Sequence, residues 1–235
     1  MFKSLVKKLF VNPVRRVLEK ESVRIAAFRD QNILALRQRR ALETTTDFVE
    51  RHLARVRAVR SKEALHDLAL DAMPDGLCCE FGVFKGATLL RMARRCPQRR
   101  FFGFDSFEGL PDDWKPGCGK GAFNVGGTLP RMPANVELVK GWFDQSLPPF
   151  LERNSGPAAL LHIDCDLYSS TKCVFDLMAG RIGQGTVILF DEYFNYPGWE
   201  EGEHKAWQEL VAQRSLKFEY LGYNELNEQL AVRVL

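Results

Sequence analysis

Short apolar runs that alternate with helical segments constrain the fold of this chain most strongly. They begin near residue 76, have the length of β-strands, and span 77–81, 100–104, 136–139, 159–163 and 186–190. Helical patterns over 86–95 and 170–178 lie between some of them. This alternation predicts an α/β fold with a doubly wound, mostly parallel sheet and helices on both faces. Two later runs, 217–221 and 229–235, predict a terminal hairpin that completes the sheet.

Residues 1–60 differ from the rest of the chain in pattern and charge. They carry 15 Lys and Arg against 6 Asp and Glu, whereas residues 61–235 carry 18 against 24. We expect one short helix that Pro13 interrupts, a second over 22–40, and a third from Thr45 or Thr46, which can cap it, to about residue 60. The chain therefore divides into a helical N-terminal extension, 1–75, and an α/β domain, 76–235.

The basic extension admits nucleic acid or an anionic membrane as a partner, but a solvated helical arm explains the charge more simply, so no nucleic-acid partner is predicted. No run of roughly 18 apolar residues exists, which excludes a conventional membrane span. Six cysteines without CxxC spacing predict neither a disulfide scaffold nor a zinc site. Because no signal peptide is recognisable, we expect a cytoplasmic protein.

A glycine turn and an acidic residue predict a nucleoside site at the carboxyl ends of the first two strands. Gly82 and Gly86 follow the first strand and allow a ligand to approach the backbone closely, although their GxxxG spacing is not the dinucleotide fingerprint. Asp105 follows the second strand, 23 residues after Gly82, where an acid accepts hydrogen bonds from ribose hydroxyls. The alternative is that Asp105 only caps a turn with Ser106.

Four carboxylates follow the fourth and fifth strands, which we expect to be neighbours: Asp164, Asp166, Asp191 and Glu192. Without compensation they would repel one another, and Mg²⁺ or Ca²⁺ prefers such oxygen ligands. The alternative is pairing with Lys172, Arg181 or Lys205. The glycine- and proline-rich stretch 111–133 is too long for an ordinary loop and predicts a lid over the substrate.

Four blocks of the sequence together resemble a known family: E-x-G-x-x-x-G from Glu80, GFDSFEGLP, HIDCDLYSSTK and FDEYFNYPGW. They resemble the macrocin O-methyltransferase-like group of S-adenosyl-L-methionine-dependent enzymes, which includes sugar O-methyltransferases of macrolide and aminocoumarin pathways. The resemblance covers about residues 76–235. It implies the class I methyltransferase fold, Rossmann-like, with seven strands, and it implies dependence on Mg²⁺.

The resemblance also implies roles for individual residues. Cofactor binding falls to Glu80, Gly82, Gly86, Asp105 and Ser106, with Gly141, Trp142 and Phe143 beside the adenine. Metal binding falls to Asp164, Asp191 and Glu192, and the general base is Asp166. The family usually has Asp-Asp where this chain has Asp191-Glu192. Apart from the resemblance, His204 lies beyond this acid pair in the sequence and is a reserve candidate for the general base.

We therefore expect an Mg²⁺-dependent O-methyltransferase that acts on a hydroxyl of a small-molecule acceptor, a sugar moiety. A metal-independent methyltransferase and a non-catalytic cofactor-binding or scaffold protein are the alternatives. For residues 20–60 we expect a homodimer interface that borders the acceptor site. Membrane contact through residues 1–12, where Phe2, Leu5, Val6, Leu9 and Phe10 form an apolar stripe beside lysines, is the weaker alternative.

Overall fold

An eight-stranded, mostly parallel sheet forms the centre of the computed structural model, which describes residues 12–115 and 117–235. The strands are β1 (Arg57–Val59), β2 (Leu77–Phe81), β3 (Phe101–Asp105), β4 (Val136–Lys140), β5 (Ala158–Ile163), β6 (Val187–Phe190), β7 (Phe218–Asn224) and β8 (Leu230–Val234). Their order across the sheet is β1-β7-β8-β6-β5-β2-β3-β4, and only β8 runs antiparallel to its neighbours.

Seven α-helices accompany the sheet in the described part of the chain. They are α1 (Asn12–Gln31), α2 (Ile33–Phe48), α3 (Lys62–Ala72), α4 (Ala87–Arg95), α5 (Phe143–Arg153), α6 (Tyr168–Met178) and α7 (Glu203–Arg214). A π-helical turn, Val49–Leu53, continues α2, and short 3₁₀ turns occupy Ala179–Arg181 and Trp199–Glu201. Helices α3 and α4 share one buried cluster with the sheet, whereas α5, α6 and α7 share the other, so the sheet is covered on both faces.

The predicted α/β class and the terminal hairpin are confirmed, but the predicted count of seven strands is wrong. The additional strand is β1, which pairs in parallel with β7 at the edge of the sheet. Because these three residues lie in a basic stretch with helical periodicity, only the long-range pairing with residues 222–224 makes them a strand.

The N-terminal helices also differ from the predicted ones. The helix expected over 22–40 is broken at Asn32, whose side-chain oxygen accepts hydrogen bonds from the amides of Leu34 (3.0 Å) and Ala35 (3.2 Å) and so caps α2. Thr45 and Thr46 lie inside α2 and begin no helix. The apolar stripe of residues 2–10 lies outside the described residues.

Helix α2 is attached to the segment that follows β6. Thr44 Oγ1 accepts a hydrogen bond from Trp199 Nε1, and Thr45 Oγ1 accepts one from the amide of Asn195, both at 2.9 Å. Phe48 is buried in the same cluster as the core of the sheet. No helix in the described part of the chain is both long and apolar enough to cross a membrane.

Candidate active site

A cavity of about 830 Å³ opens at the carboxyl ends of the parallel strands, where α/β sheets bind ligands. The predicted site residues that line it are Glu80, Gly82, Gly86, Asp105, Ser106, Gly141, Trp142, Phe143, Asp164, Asp166 and Glu192. Asp191 and His204 are not among the lining residues. The structure therefore gathers the predicted cofactor residues and most of the predicted acids around one space.

The glycine turn after β2 brings the loop close to the end of β5. Gly82 has a φ of +94°, and a Cβ there would lie 1.7 Å from the carbonyl oxygen of Asp164. Only glycine allows this approach. Gly86 has a φ of +74° and directly precedes α4, whose N-terminal residues line the cavity.

Asp105 holds this turn in place. Its Oδ2 accepts hydrogen bonds from the amides of Val83 (2.8 Å) and Phe84 (2.7 Å), and its Oδ1 accepts one from the amide of Phe107 (2.6 Å). A carboxylate has about four acceptor positions, so one remains for a ribose hydroxyl. Ser106 Oγ accepts from the amide of Glu108 and thereby stabilises the turn after β3.

Aromatic and backbone groups after β4 form another wall of the cavity. The amide of Gly141 donates to the carbonyl of Asp105 (2.9 Å), which fixes the β4 end beside the β3 end. Trp142 and Phe143 begin α5, and the Phe143 ring meets the edge of Phe81 with centroids 5.6 Å apart. This wall offers flat apolar surface beside the predicted ribose position.

Asp164, Asp191 and Glu192 form a cluster in which one carboxylate oxygen from each lies within 4.8 Å of the others. Backbone hydrogen bonds set this arrangement: the amide of Asp164 donates to Phe81, and that of Asp191 donates to Ile163. Glu192 Oε2 is buried and has no hydrogen-bond partner. Three converging hard oxygen donors, one of them unpartnered, fit a divalent cation such as Mg²⁺.

A lysine that the sequence did not reveal contacts this cluster. Lys62 Nζ lies 2.6 Å from Asp191 Oδ1 and 3.7 Å from Asp164 Oδ2. The lysines and arginine expected as alternative partners are engaged elsewhere: Lys172 with Asp176, Lys205 with Glu201, and Arg181 with backbone carbonyls. That part of the prediction is wrong, because the pairing cation comes from α3 in the N-terminal region.

Charges around Asp191 shift its titration. Burial alone would raise the pKa of Asp191, but His162 and Lys62 lower it to about 2. Burial alone would likewise lower the pKa of His162, but the carboxylates of Asp191 and Glu80 raise it to about 10. His162 Nδ1 lies 3.0 Å from Glu80 Oε2, and both side chains are buried. Glu80 therefore belongs to a buried hydrogen-bonded pair beneath the acid cluster, and burial raises the pKa of its carboxyl group.

Asp166 occupies a strained turn just after the carboxyl end of β5. It has a φ of +63°, and the amide of Leu167 donates to the carbonyl of Cys165 across it at 2.6 Å. Burial raises the pKa of Asp166 to about 7, and nearby Lys115 opposes this rise. A carboxyl group that titrates near neutral pH, in a cavity, has the properties of a general base.

Glu203, which the sequence did not single out, supports the acid pair from α7. Its side chain is fully buried, and its Oε2 accepts a hydrogen bond from the amide of Glu192 at 3.2 Å. Burial raises the pKa of Glu203 well above its usual range. The sequence showed Glu203 only as a polar residue near a helix start, with no sign of its burial.

The 111–133 stretch covers part of the cavity. Trp114 and Lys115 line it, and Lys115 Nζ lies 3.6 Å from the Trp114 ring centroid. The Trp114 ring meets Tyr196, which follows the acid pair, with centroids 6.4 Å apart. Phe123 meets Phe84 of the glycine turn at 5.6 Å. The predicted lid therefore contacts both sides of the cavity.

His204 lies apart from this site, contrary to its prediction as a reserve base. Its ring packs among Phe48, Tyr193 and Trp199 with centroids 4.9–5.5 Å away, and it lines a second cavity. Burial and the neighbouring His52 lower its pKa to about 4. The start of α7 turns His204 toward α2, while its neighbour Glu203 faces the acid pair.

The strand order, the glycine turn after β2 and the acids at neighbouring strand ends define a Rossmann-like domain of the class I methyltransferase type. The family model of a methyltransferase domain matches residues 79–193. This match covers just under half of the chain and agrees with the methyltransferase motifs in the sequence.

Comparisons with individual proteins agree with this class. The chain is 27% identical over 148 residues to the 8-demethyl-8-(2,3-dimethoxy-α-L-rhamnosyl)-tetracenomycin-C 4′-O-methyltransferase of Streptomyces olivaceus, covering 52% of this chain and 54% of that relative. It is similar to the crystal structure of the calicheamicin methyltransferase CalS11, with 25% identity, a TM-score of 0.57, and coverage of 73% and 76%. The O-methyltransferase NovP shares the fold, with 20% identity, a TM-score of 0.56, and coverage of 73% and 78%. These findings confirm the predicted resemblance, although the chain spans only about half the length of the curated relative.

Proposed function

We propose that this protein is an S-adenosylmethionine-dependent, Mg²⁺-dependent O-methyltransferase whose acceptor is a hydroxyl of a small molecule carrying a sugar. One observation carries the proposal: the acid cluster and the glycine turn of the methyltransferase domain border the same cavity. The sugar is proposed because the curated relative is named as a 4′-O-methyltransferase of a rhamnosyl-tetracenomycin, and CalS11, in its apo structure, is named as a TDP-rhamnose 3′-O-methyltransferase.

The glycine turn, Asp105 and the α5 wall would hold the cofactor. Asp105 keeps the amides of Val83 and Phe84 in position and offers its remaining acceptor site to the ribose. Trp142 and Phe143 provide surface for the adenine. S-adenosylmethionine supplies an electrophilic methyl group on a sulfonium, which needs a hydroxyl oxygen held close and in line.

Asp164, Asp191 and Glu192 would hold Mg²⁺, which when bound lowers the pKa of a coordinated hydroxyl and orients two adjacent oxygens. Asp166 would accept the proton of the acceptor hydroxyl as the methyl–oxygen bond forms and the sulfur–methyl bond breaks. Its position in the cavity, with the pKa raised to about 7, suits this role. Trp114 and Lys115 would exclude water when the lid is closed over the acceptor.

A metal-independent methyltransferase is the second candidate, and the contact between Lys62 and Asp191 favours it. In that case, the ammonium group would neutralise the acids permanently. Turnover after chelation and after return of Mg²⁺ distinguishes the two candidates.

The test of the proposed function uses purified full-length protein, a panel of glycosylated acceptors and isotopically labelled S-adenosylmethionine. We expect methyl transfer that stops with chelator and returns with Mg²⁺. Asp164→Asn should abolish metal-stimulated turnover and leave S-adenosylhomocysteine binding within about threefold, because Asp164 is assigned to the metal. Calorimetry that detects no cofactor binding to the wild-type protein would refute the proposed function and favour the non-catalytic scaffold.

We also propose that the N-terminal helices form a homodimer interface. Large apolar side chains of α1 are exposed, among them Leu18 (64%) and Val23 (68%), and Ile33 and Leu34 of α2 are exposed as well. The hydrogen bonds between α2 and residues 195–199 would place this interface next to the acceptor side of the cavity. Light scattering should give twice the chain mass for the wild-type protein and the single-chain mass for Leu18→Glu/Val23→Glu, with Lys20→Ala as control. A single-chain mass for the wild-type protein would refute the dimer.

A further inference from the structure

We propose that Lys62 is a tethered placeholder for the divalent cation: its ammonium group bridges Asp191 and Asp164 when the metal is absent and moves into the cavity when the metal binds. This inference rests on the metal-binding role proposed above. Lys62 lies outside residues 79–193, which match the methyltransferase domain.

The backbone of Lys62 is fixed at the start of α3, while its side chain is a long chain with rotatable bonds. Ser61 caps α3 by accepting a hydrogen bond from the amide of Ala64 (3.1 Å), so Lys62 is the first helical residue. Leu65 and Ala69 are fully buried and hold the helix against the sheet. The tether is therefore rigid up to Cα and consists beyond it of a flexible four-carbon chain.

The ammonium group contacts the same carboxylates that would hold the cation. It lies 2.6 Å from Asp191 Oδ1, 2.7 Å from Asp191 Oδ2 and 3.7 Å from Asp164 Oδ2. Asp191 thus directs both of its oxygens to Lys62. A divalent ion at ordinary coordination distance from these oxygens, about 2.1 Å, would lie too close to a second positive charge.

The cavity gives the displaced ammonium group a place to go. Lys62 lines the cavity, and its side chain is 29% exposed, so the cavity lies directly beside the ammonium group. Binding of the metal then exchanges one compensating charge for another, and the acids never remain unpaired. The consequence is that Lys62 competes with the metal and weakens its affinity.

The first measurement is the affinity for Mn²⁺, used as a probe for Mg²⁺ and followed by electron paramagnetic resonance of the free ion. Lys62→Met removes the charge and keeps much of the length, so it should bind Mn²⁺ at least about tenfold more tightly than the wild-type protein. Lys172→Met is the matched control, because Lys172 pairs with Asp176 on α6. The affinity of this variant for Mn²⁺ should equal that of the wild-type protein.

The second measurement needs no variant and therefore does not depend on whether Lys62→Met folds. Wild-type protein is treated briefly with an amine-acylating reagent, with and without Mg²⁺, and modification is read by peptide mass spectrometry. Mg²⁺ should increase the acylation of Lys62 severalfold and leave Lys172 unchanged, because only Lys62 loses its ion pair.

The outcomes separate this inference from the proposed function. Two results would overturn the placeholder and leave the metal centre standing, and both require that the wild-type protein binds Mn²⁺. The first is that Lys62→Met binds the ion no more tightly than the wild-type protein. The second is that Mg²⁺ leaves the acylation of Lys62 unchanged. If only Lys62→Met binds the ion, Lys62 occupies the site permanently, and both the exchange with the metal and the metal dependence of the wild-type protein are refuted. If neither protein binds it, both the metal centre and the placeholder are refuted.

Discussion

Replacing Asp105 by asparagine should weaken cofactor binding, because the Asp105 carboxylate holds backbone amides of the glycine turn in position. The carboxylate accepts three amide hydrogen bonds, two on Oδ2 and one on Oδ1. Asparagine has only one acceptor oxygen, so either the amides of Val83 and Phe84 or that of Phe107 must face an NH₂ group. Loss of one hydrogen bond to a charged acceptor costs about 1.5–3 kcal/mol, which corresponds to about 10- to 150-fold in affinity.

The assay is calorimetric titration of S-adenosylhomocysteine, combined with thermal unfolding. We expect weaker binding by about one to two orders of magnitude, together with a lower melting temperature, since the same bonds stabilise the loop in the free protein. Asp47→Asn, an exposed acid on α2, is the control and should change neither quantity. Affinity within about threefold of wild type in Asp105→Asn would refute both the ribose contact and the support of the glycine turn.

The acids of the site give two further predictions. Asp166→Asn should retain metal binding and lose turnover by about 10²–10⁴-fold. In the wild-type protein, turnover should rise with pH around 7, because the base must be deprotonated. This rise should be absent in the variant. Glu203→Gln should keep Mn²⁺ affinity within about threefold, since the amide oxygen can still accept from Glu192, whereas Glu203→Ala should weaken it by about 5- to 150-fold. Full activity of Asp166→Asn, or unchanged Mn²⁺ affinity of Glu203→Ala, would contradict these assignments.

The centre of the parallel sheet could be predicted from the sequence because β2, β5 and β6 are buried on both faces. β2 coincides with the predicted 77–81 run, and β5 and β6 differ from their predictions by one residue at the start. The break at Asn32 was not predicted, although asparagine is a preferred N-cap residue and caps α2 here. β1, in contrast, depends on pairing with residues more than a hundred positions away, which local periodicity does not encode.

The candidate site likewise combines residues that the local sequence pattern predicts with residues that only long-range packing brings to it. The acids could be predicted because they follow strands whose carboxyl ends meet at one edge, and this rule needs only the strand positions. Lys62 could not be predicted, because its contact with Asp191 spans 129 positions and depends on how α3 packs against the sheet. Glu203 and His204 are neighbours in a short helix, so the sequence could not show that only the first one faces the acids.

The cofactor turn and the metal acids share one backbone contact, and Gly82→Ala tests whether they act as a unit. A Cβ at Gly82 would lie 1.7 Å from the carbonyl oxygen of Asp164, so the two loops must separate. Gly198 has a similar φ of +90°, against +94° for Gly82, but has open space around it. Gly198→Ala therefore bears only the backbone strain of about 1–2 kcal/mol. Gly82→Ala should lose more stability than this control and should weaken both S-adenosylhomocysteine and Mn²⁺ binding, each by about tenfold or more. If the two variants lose equal stability and Gly82→Ala retains its metal affinity, the loops are independent, and the acid cluster does not need the glycine turn for its geometry.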